Sequence, residues 1–179
     1  MPSTSRRSTS SHLVSPDEIA AECENLGVER TSLSLEVTET ATHDDPTMMM
    51  DILTRLCLRD LRLSIDDFGT GNSSLMKLHR LPFSELKLDR SFIVEARTSK
   101  RALLITRSTI DLAHSLDMKV VAEGIEDADT AAIMTEMGCD IGQGFHFYIP
   151  MAPEMIPSLF AGAAKTNRDP LELALTLPV

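Results

Sequence analysis

Short apolar segments alternate with helical segments along the chain, and this alternation constrains the fold more than any other feature. Five segments have the length and the flanking turn residues of buried parallel strands, namely 32–37, 62–66, 85–89, 119–123 and 140–145. Helical spacing and capping residues predict helices at 16–26, 45–58, 99–116, 127–137 and 153–160. Strict alternation of the two kinds of segment predicts a parallel α/β sheet.

Each predicted strand carries a polar residue at or near its end. These residues lie 20 to 36 positions apart, about one βα unit each, and they are Glu36, Asp66, Lys87, Glu123 and Gln143. Polar groups at the carboxyl ends of successive strands are typical of the active face of a TIM-type barrel. A doubly wound sheet is the alternative, but no glycine-rich phosphate loop follows any strand. The sequence therefore predicts an incomplete TIM-type (β/α) barrel with about five of the eight βα units.

Composition limits the classes of partner and the compartment. With 179 residues and 42% hydrophobic content, the chain is sized for one domain. A net charge of −10 argues against binding to a nucleic acid polymer, although divalent cations could still hold a phosphate ester. The three cysteines form no CxxC pair, which favours a reducing, cytoplasmic location. We expect no membrane segment, because no apolar run approaches the roughly 20 residues that a spanning helix needs.

The two ends of the chain differ from its middle. Residues 1–12 are rich in serine and lack the apolar stretch of a signal peptide, so we expect a disordered tail rather than a targeting signal. Residues 164–179 combine polar residues, a proline and a short apolar end, which indicates a loosely attached tail. The folded domain is expected to span residues 13–163.

Four of the residues near the strand ends are acids whose chemistry indicates a metal site, and they are Glu36, Asp66, Asp67 and Glu123. Carboxylates are hard oxygen ligands that suit Mg²⁺ or Mn²⁺. The adjacent pair Asp66-Asp67 could reach two ions, an arrangement that activates water and stabilises a leaving oxygen. Lys87 would orient that water or offset the charge of a phosphate. The glycine turn at 68–71 is read as a metal-site loop rather than an ordinary βα loop.

Five short motifs resemble those of EAL domains, the cyclic-di-GMP phosphodiesterase family. They are LEVTET at 35–40, DDFGTG at 66–71, LKLD at 86–89, VAEGIE at 121–126 and QGF at 143–145. Their order and spacing are similar to those of the family across about residues 13–160. The resemblance implies hydrolysis of cyclic-di-GMP to the linear dinucleotide pGpG with two Mg²⁺ or Mn²⁺ ions.

The resemblance also implies a role for each matching residue. Glu36, Asp66 and Asp67 would be metal ligands. Two residues, Lys87 and Glu123, would hold or activate the attacking water.

Two more positions match, and others depart from the family pattern. Glu39 would anchor the loop that follows the paired acids, and Gln143 would contact the substrate. The resemblance begins after the Glu-Ala-Leu strand and the next strand, which supply a Glu and an Asn ligand in the family. Asn72 stands where the family has Tyr, and Ile149 where Arg is common.

Two hypotheses follow from the sequence. The first is a metal-dependent phosphodiesterase of which this chain is one part. The second is a catalytically inactive EAL remnant that acts as a cyclic-di-GMP-binding or protein-interaction module. An incomplete barrel exposes the edges of its first and last strands. We therefore expect either poor stability of the monomer or association into a homodimer.

Overall fold

A computed structural model of the chain describes residues 15–38, 46–68, 75–155 and 157. Within these residues the strands form one sheet, in which every neighbouring pair is parallel. The strands are β1 (Ser34–Thr38), β2 (Arg62–Phe68), β3 (Glu85–Leu88), β4 (Lys119–Ala122) and β5 (Ile141–Gly142).

Helices connect successive strands, as the alternating pattern predicts. They are α1 (Pro16–Leu26), α2 (Pro46–Cys57), α3 (Leu75–Arg80), α4 (Arg90–Thr98), α5 (Lys100–Ser115) and α6 (Ala128–Met137). Short 3₁₀ turns occupy Arg30–Ser32 and Pro153–Met155. The helix predicted at 153–160 therefore begins as a 3₁₀ turn, and most of its second half lies outside the described residues. None of the helices in the described part of the chain combines the length and apolarity that a membrane crossing requires.

The order of the strands distinguishes a barrel wall from a doubly wound sheet. The sheet runs β1-β2-β3-β4-β5, so that each strand lies beside the next one in the chain. In a doubly wound sheet, the order of the strands would reverse at a switch point, so that some consecutive strands would not be neighbours. Among the described residues β1 and β5 form the two edges and do not pair with each other. The predicted incomplete TIM-type barrel is confirmed.

One face of the sheet forms the hydrophobic core with the helices. The register pairs Ile65 with Leu86 and Leu86 with Val120, so these three side chains lie on the same face. Each is at most 1% exposed. Ile110 of α5 belongs to the same buried cluster and is completely buried. Full burial of such a side chain contributes about 2 kcal/mol, so this face fixes the register of the sheet.

Helix ends follow the local signals of the sequence. Ser15 caps α1 with a capping box that includes Glu18, and Gly27 ends the helix with a φ of 65°. Asp127 caps α6, which Gly138 ends with a φ of 94°. The boundaries predicted from these residues are confirmed to within one residue.

The predicted strand at 140–145 is too long. Only Ile141–Gly142 pair with β4, and the chain turns after Gln143. Gly144 has a φ of 154°, and its carbonyl accepts a hydrogen bond from the Phe147 N–H at 3.1 Å. This turn ends the strand. The proposed tails at 1–12 and 164–179 lie outside the described residues and stay predictions.

Candidate metal and active site

A buried lysine lies among acids from neighbouring strands. Nζ of Lys87 lies 2.6 Å from Oε1 of Glu36 and 2.6 Å from Oε1 of Glu123. It lies 3.4 Å from Oδ1 of Asp66. Four of the polar residues that the sequence placed at or near strand ends therefore lie together in the structure.

The pleat of the sheet places these side chains on the face opposite the core. The register pairs Glu36 with Ser64 and Lys87 with Val121. Side chains two positions apart on a strand share a face. Asp66 therefore lies on the same face as Ser64, and Glu123 on the same face as Val121. The Lys87 side chain is only 6% exposed. The apolar residues that alternate with these positions anchor the strands to the core.

A bulge in β2 explains how two adjacent acids approach one site. Ile65 pairs with Leu86 and Phe68 with Leu88, so that Asp66 and Asp67 together oppose the single residue Lys87. In a regular strand, neighbouring side chains would point to opposite faces. Asp67 adopts a left-handed φ of 55°, which is uncommon for a residue with a Cβ. Bulges of this kind often redirect a side chain beside an active site.

Three carboxylates lie close enough to share a cation. One oxygen from each of Asp66, Asp67 and Glu123 lies within 4.8 Å of the other two. Within the described residues, the buried Oδ1 of Asp66 accepts no hydrogen bond, and its nearest cation is Nζ of Lys87 at 3.4 Å. An all-oxygen donor set with such a buried oxygen fits Mg²⁺ or Mn²⁺. The sequence placed Glu123 among the candidate metal-site acids, and the resemblance implied that it handles the water; the structure brings its carboxylate close to those of Asp66 and Asp67.

The charges of the site shift the pKa values of two of its members. Burial alone lowers the pKa of Lys87, but hydrogen bonds to Glu123 and Glu36 and the attraction of Asp66 outweigh it and raise this pKa. Burial raises the pKa of Glu123, the Lys87 ammonium opposes this, and the charges of Asp66 and Glu36 add to the rise. Lys87 is therefore a fixed cation at neutral pH, and the surrounding acids keep an excess of negative charge.

The remaining predicted residues lie at the edge of this site or outside the described residues. Gln143 is exposed, and its backbone N–H donates to the Ala122 carbonyl at 2.9 Å, directly before Glu123. Asp89 of the LKLD motif caps α4 by accepting the Ser91 N–H at 2.9 Å. Glu39 and the glycine turn from residue 69 onward lie outside the described residues, so the proposed loop anchor stays a prediction.

The fold and the site together define a class of protein, an incomplete parallel α/β barrel whose strand ends carry a close group of carboxylates. The chain belongs to the EAL domain family, whose sequence profile matches residues 4–150.

Relatives and solved structures agree with this assignment. The cyclic di-GMP phosphodiesterase NbdA of Pseudomonas aeruginosa is 42% identical over 135 residues, which cover 75% of this chain and 17% of NbdA. The structure of the PaMucR phosphodiesterase in complex with c-di-GMP matches with a TM-score of 0.73 and 38% identity. That match covers 78% of this chain and 57% of the PaMucR chain.

A metal-containing structure is also similar. The manganese and cy-diGMP complex of Klebsiella pneumoniae BlrP1 matches with a TM-score of 0.68 and 29% identity, covering 74% of this chain and 34% of BlrP1. Divalent metal ions are therefore present in a structure of this family. The chain spans between 15% and 31% of the length of four curated relatives that it matches.

Proposed function

We propose that this chain is part of a cyclic-di-GMP phosphodiesterase and supplies the residues that hydrolyse cyclic-di-GMP to pGpG. The observation that carries the proposal is the group of Asp66, Asp67 and Glu123, whose carboxylate oxygens lie within 4.8 Å of one another. Lys87 lies beside this group, with Nζ 2.6 Å from Oε1 of Glu123. The names of NbdA and PaMucR support the same substrate and reaction.

In this proposal the metal ligands are Glu36, Asp66, Asp67 and Glu123. Two Mg²⁺ or Mn²⁺ ions, when bound, would supply an activated water and stabilise the leaving oxygen of the phosphodiester. The preference for oxygen ligands supports these two ions over softer metals.

The protein side chains orient the water and move its proton. The raised pKa of Lys87 keeps its ammonium charged, so Lys87 donates hydrogen bonds and offsets phosphate charge but does not act as a base. Glu123 has a raised pKa and is suited to accept the proton of the attacking water on its carboxylate. The water oxygen bonds to phosphorus while the bond from phosphorus to the ribose O3′ breaks. The product keeps a 5′-phosphate, as in pGpG.

The second candidate is a binding module without turnover, and the position of Glu36 favours it. Glu36 lies on the edge strand β1, its side chain is 54% exposed, and it does not belong to the close carboxylate group. Three close carboxylates are enough to hold one cation. A site that holds one cation firmly would bind the dinucleotide through its phosphates without a two-ion reaction.

Hydrolysis and binding assays on the full chain separate the two candidates. The chain is incubated with cyclic-di-GMP and Mn²⁺, and pGpG is measured by chromatography beside calorimetric binding. Phosphodiesterase activity predicts turnover that Asp66→Asn reduces by at least about a hundredfold. Asp111→Asn, an exposed acid on α5, serves as the matched control and should keep full activity. Micromolar binding without turnover would favour the module, and neither binding nor turnover would contradict both candidates.

The proposal extends to the domain boundaries, the compartment and the assembly. We take residues 13–163 as the EAL portion and place it in the cytoplasm, where free thiols persist. The three cysteines are free, and burial, with the nearby charge of Asp140, raises the pKa of Cys139 to about 12. The open edge of β1 supports association into a homodimer. Sedimentation velocity over a concentration series tests this, and a monomer at all concentrations would contradict it.

A further inference from the structure

The turn that follows β4 determines where the Glu123 carboxylate points. Gly124 comes directly after Glu123 and has a left-handed φ of 70°. A glycine in this conformation has no side chain to hold it, so the direction of the chain depends on what packs against it. The next residue, Ile125, is completely buried. The conformation of Gly124 itself therefore depends on the groups that pack against its backbone.

Arg90 supplies such a contact with the aliphatic part of its side chain. Arg90 is the first residue of α4, three positions after Lys87. A Cβ placed on Gly124 would lie 2.7 Å from Cγ, 2.8 Å from Cβ and 2.9 Å from Cδ of Arg90. The side chain of Arg90 thus lies directly on the backbone of Gly124. No side chain larger than hydrogen fits between them without a shift of Arg90.

The guanidinium of Arg90 reaches across the same turn. Its Nη2 lies 2.9 Å from Oε1 of Glu126. Both side chains are about half exposed, at 57% and 50%, so this ion pair contributes little to global stability. Its effect is local, because it holds the Arg90 side chain in place over Gly124.

Backbone hydrogen bonds connect the turn to both neighbouring strand ends. The Glu123 N–H donates to the Leu88 carbonyl at 3.1 Å. The Ile125 N–H donates to the Gln143 carbonyl at 3.0 Å. Arg90 therefore presses on a segment whose two ends are hydrogen bonded to β3 and to the residue after β5. A movement of this segment would carry the Glu123 carboxylate away from Lys87 and from the two aspartates.

We propose that Arg90 is a positioning residue that holds the turn at 124–126, and through it the Glu123 carboxylate, in the geometry needed for the cation site. The inference deepens the proposed function and rests on it. Arg90 acts through Gly124 and Glu126 and does not itself touch the carboxylate group. Residues that hold a metal ligand in position without touching the metal usually affect the affinity for the metal.

The test measures Mn²⁺ binding by the full chain with calorimetry. Arg90→Ala should weaken Mn²⁺ binding about 10- to 100-fold while the thermal midpoint changes little. Arg90→Lys keeps an aliphatic chain and a positive charge and should restore most of the affinity. If Arg90→Lys binds Mn²⁺ as weakly as Arg90→Ala, or if Arg90→Ala binds as tightly as the wild type, the inference is wrong.

Arg97 provides the matched control. It lies on the same helix, and its Nη1 is 2.7 Å from Oδ2 of Asp127, just beyond the turn. Arg97→Ala removes a similar, less exposed ion pair and a hydrogen bond to Thr130 but no contact with Gly124, so Mn²⁺ affinity should be unchanged. An equal loss of affinity in Arg97→Ala would overturn a specific role for Arg90.

Amide hydrogen exchange gives a readout that needs no metal and no activity. Arg90→Ala should speed exchange of the Glu123 and Ile125 amides, which the turn protects, whereas Arg97→Ala should not. The Asp140 amide, bonded to the Val120 carbonyl at 3.0 Å near the other end of β4, should stay unchanged. Unaltered exchange at Glu123 and Ile125 overturns the inference. If the wild-type chain binds no Mn²⁺, the proposed function is wrong. In that case the exchange rates of the Glu123 and Ile125 amides still test whether Arg90 holds the turn.

Discussion

At the scale of single residues, Asp67 combines an unusual backbone conformation with a place in the carboxylate group. Its φ of 55° lies in the left-handed region, where Asp and Asn are tolerated better than most residues with a Cβ. The bulge that creates this conformation also turns the carboxylate toward Asp66 and Glu123. The position therefore selects a short polar side chain for its backbone and a carboxylate for its ligand chemistry.

Two substitutions at Asp67 separate these requirements. Asp67→Asn and Asp67→Val both remove the charge, so any difference in their stability reports the backbone. Asp67→Val should be less stable than Asp67→Asn by about 1–2 kcal/mol, because a β-branched residue is disfavoured in the left-handed region. Urea denaturation in EDTA measures the free energy of unfolding. Equal stability of the two variants would show that the conformation at this position is not strained.

Without a metal ion, Lys87 is the cation that offsets the negative charge of the acids around it. Lys87→Met keeps most of the apolar stem of the side chain but leaves Glu36, Asp66 and Glu123 without their shared cation. The free energy of unfolding in EDTA should fall by about 2 kcal/mol, less than for a fully buried pair because Glu36 is half exposed. Added Mn²⁺ should restore more stability to this variant than to the wild type. An unchanged unfolding curve in EDTA would show that Lys87 does not stabilise the fold by offsetting the charge of these acids.

At the scale of the elements, the turn after β5 depends on close packing of backbone against backbone. A Cβ on Gly144 would lie 2.1 Å from the carbonyl oxygen of Ile125, and the φ of 154° is itself unfavourable for other residues. Gly27 at the end of α1 also has a positive φ, of 65°, but in the described part of the chain no atom outside its own neighbourhood lies within 4 Å of its Cβ position. The two glycines thus share a conformational requirement and differ in available space.

This difference predicts unequal costs of alanine at the two positions. Gly144→Ala should lower the free energy of unfolding by about 3 kcal/mol, since strain and a backbone clash add together. Gly27→Ala should cost only about 1 kcal/mol, from its backbone conformation alone. Chemical denaturation of both variants measures the difference. Similar costs at the two sites would mean that the Gly144 turn moves freely away from Ile125.

The N-terminal cap of α6 is a second feature of an element with a measurable effect. Oδ1 of Asp127 accepts the Thr130 N–H at 2.7 Å, and its other oxygen pairs with Arg97. Asp127→Ala should lower the thermal midpoint by about 2–4 °C at neutral pH, whereas Asp127→Asn keeps a capping oxygen and should lose less. Circular dichroism melting of both variants tests the cap. An equal loss in the two variants would assign the effect to the charge of Asp127 instead.

The same cap predicts a dependence on pH. The backbone hydrogen bond from Thr130, chiefly, lowers the pKa of Asp127 from 3.8 to about 2. Between these values the unfolded chain binds more protons at this position than the folded chain. The contribution of the charged cap is therefore complete above pH 3.8 and is lost as the pH falls through about 2. The stability difference between the wild type and Asp127→Ala should narrow over this range and stay constant from pH 5 to 7.

At the scale of the whole molecule, a cation bound to the carboxylate group would couple the sheet to the site. The carboxylate group combines residues of β2 with Glu123, which follows β4 and lies next to β3 through Leu88. A cation that binds only the folded chain raises its stability by mass action. Metal binding therefore reports whether the described sheet is assembled in solution, independently of any reaction.

Mn²⁺ should consequently stabilise the chain. At a concentration one hundred times the dissociation constant, the thermal midpoint should rise by about 5–10 °C. Differential scanning fluorimetry with and without EDTA measures the shift, and Asp66→Asn serves as the control because it removes a charged ligand. A shift of the same size in Asp66→Asn would indicate binding elsewhere on this acidic protein.

The sequence predicted the elements well where local chemistry defines them. Apolar segments of limited length indicated the strands, and Ser15, Gly27 and Gly138 marked helix ends. Two predictions failed. The strand at 140–145 was too long, because the turn at Gly144 ends the pairing with β4, and no helix was predicted at α3 or α4. Arg90 was not identified as a site residue, because nothing in its sequence context shows that it lies over Gly124.

The sequence by itself determined the alternating α/β architecture, the family and the polar residues at the strand ends. Only the tertiary structure decided how those residues are grouped: a bulge brings Asp66 and Asp67 to one side, and Glu123 joins them while Glu36 stays half exposed. The physical reason is the range of the interactions. Periodicity and helix capping act over a few residues and can be recognised in the sequence. Distances between side chains depend instead on register, bulges and packing between distant segments.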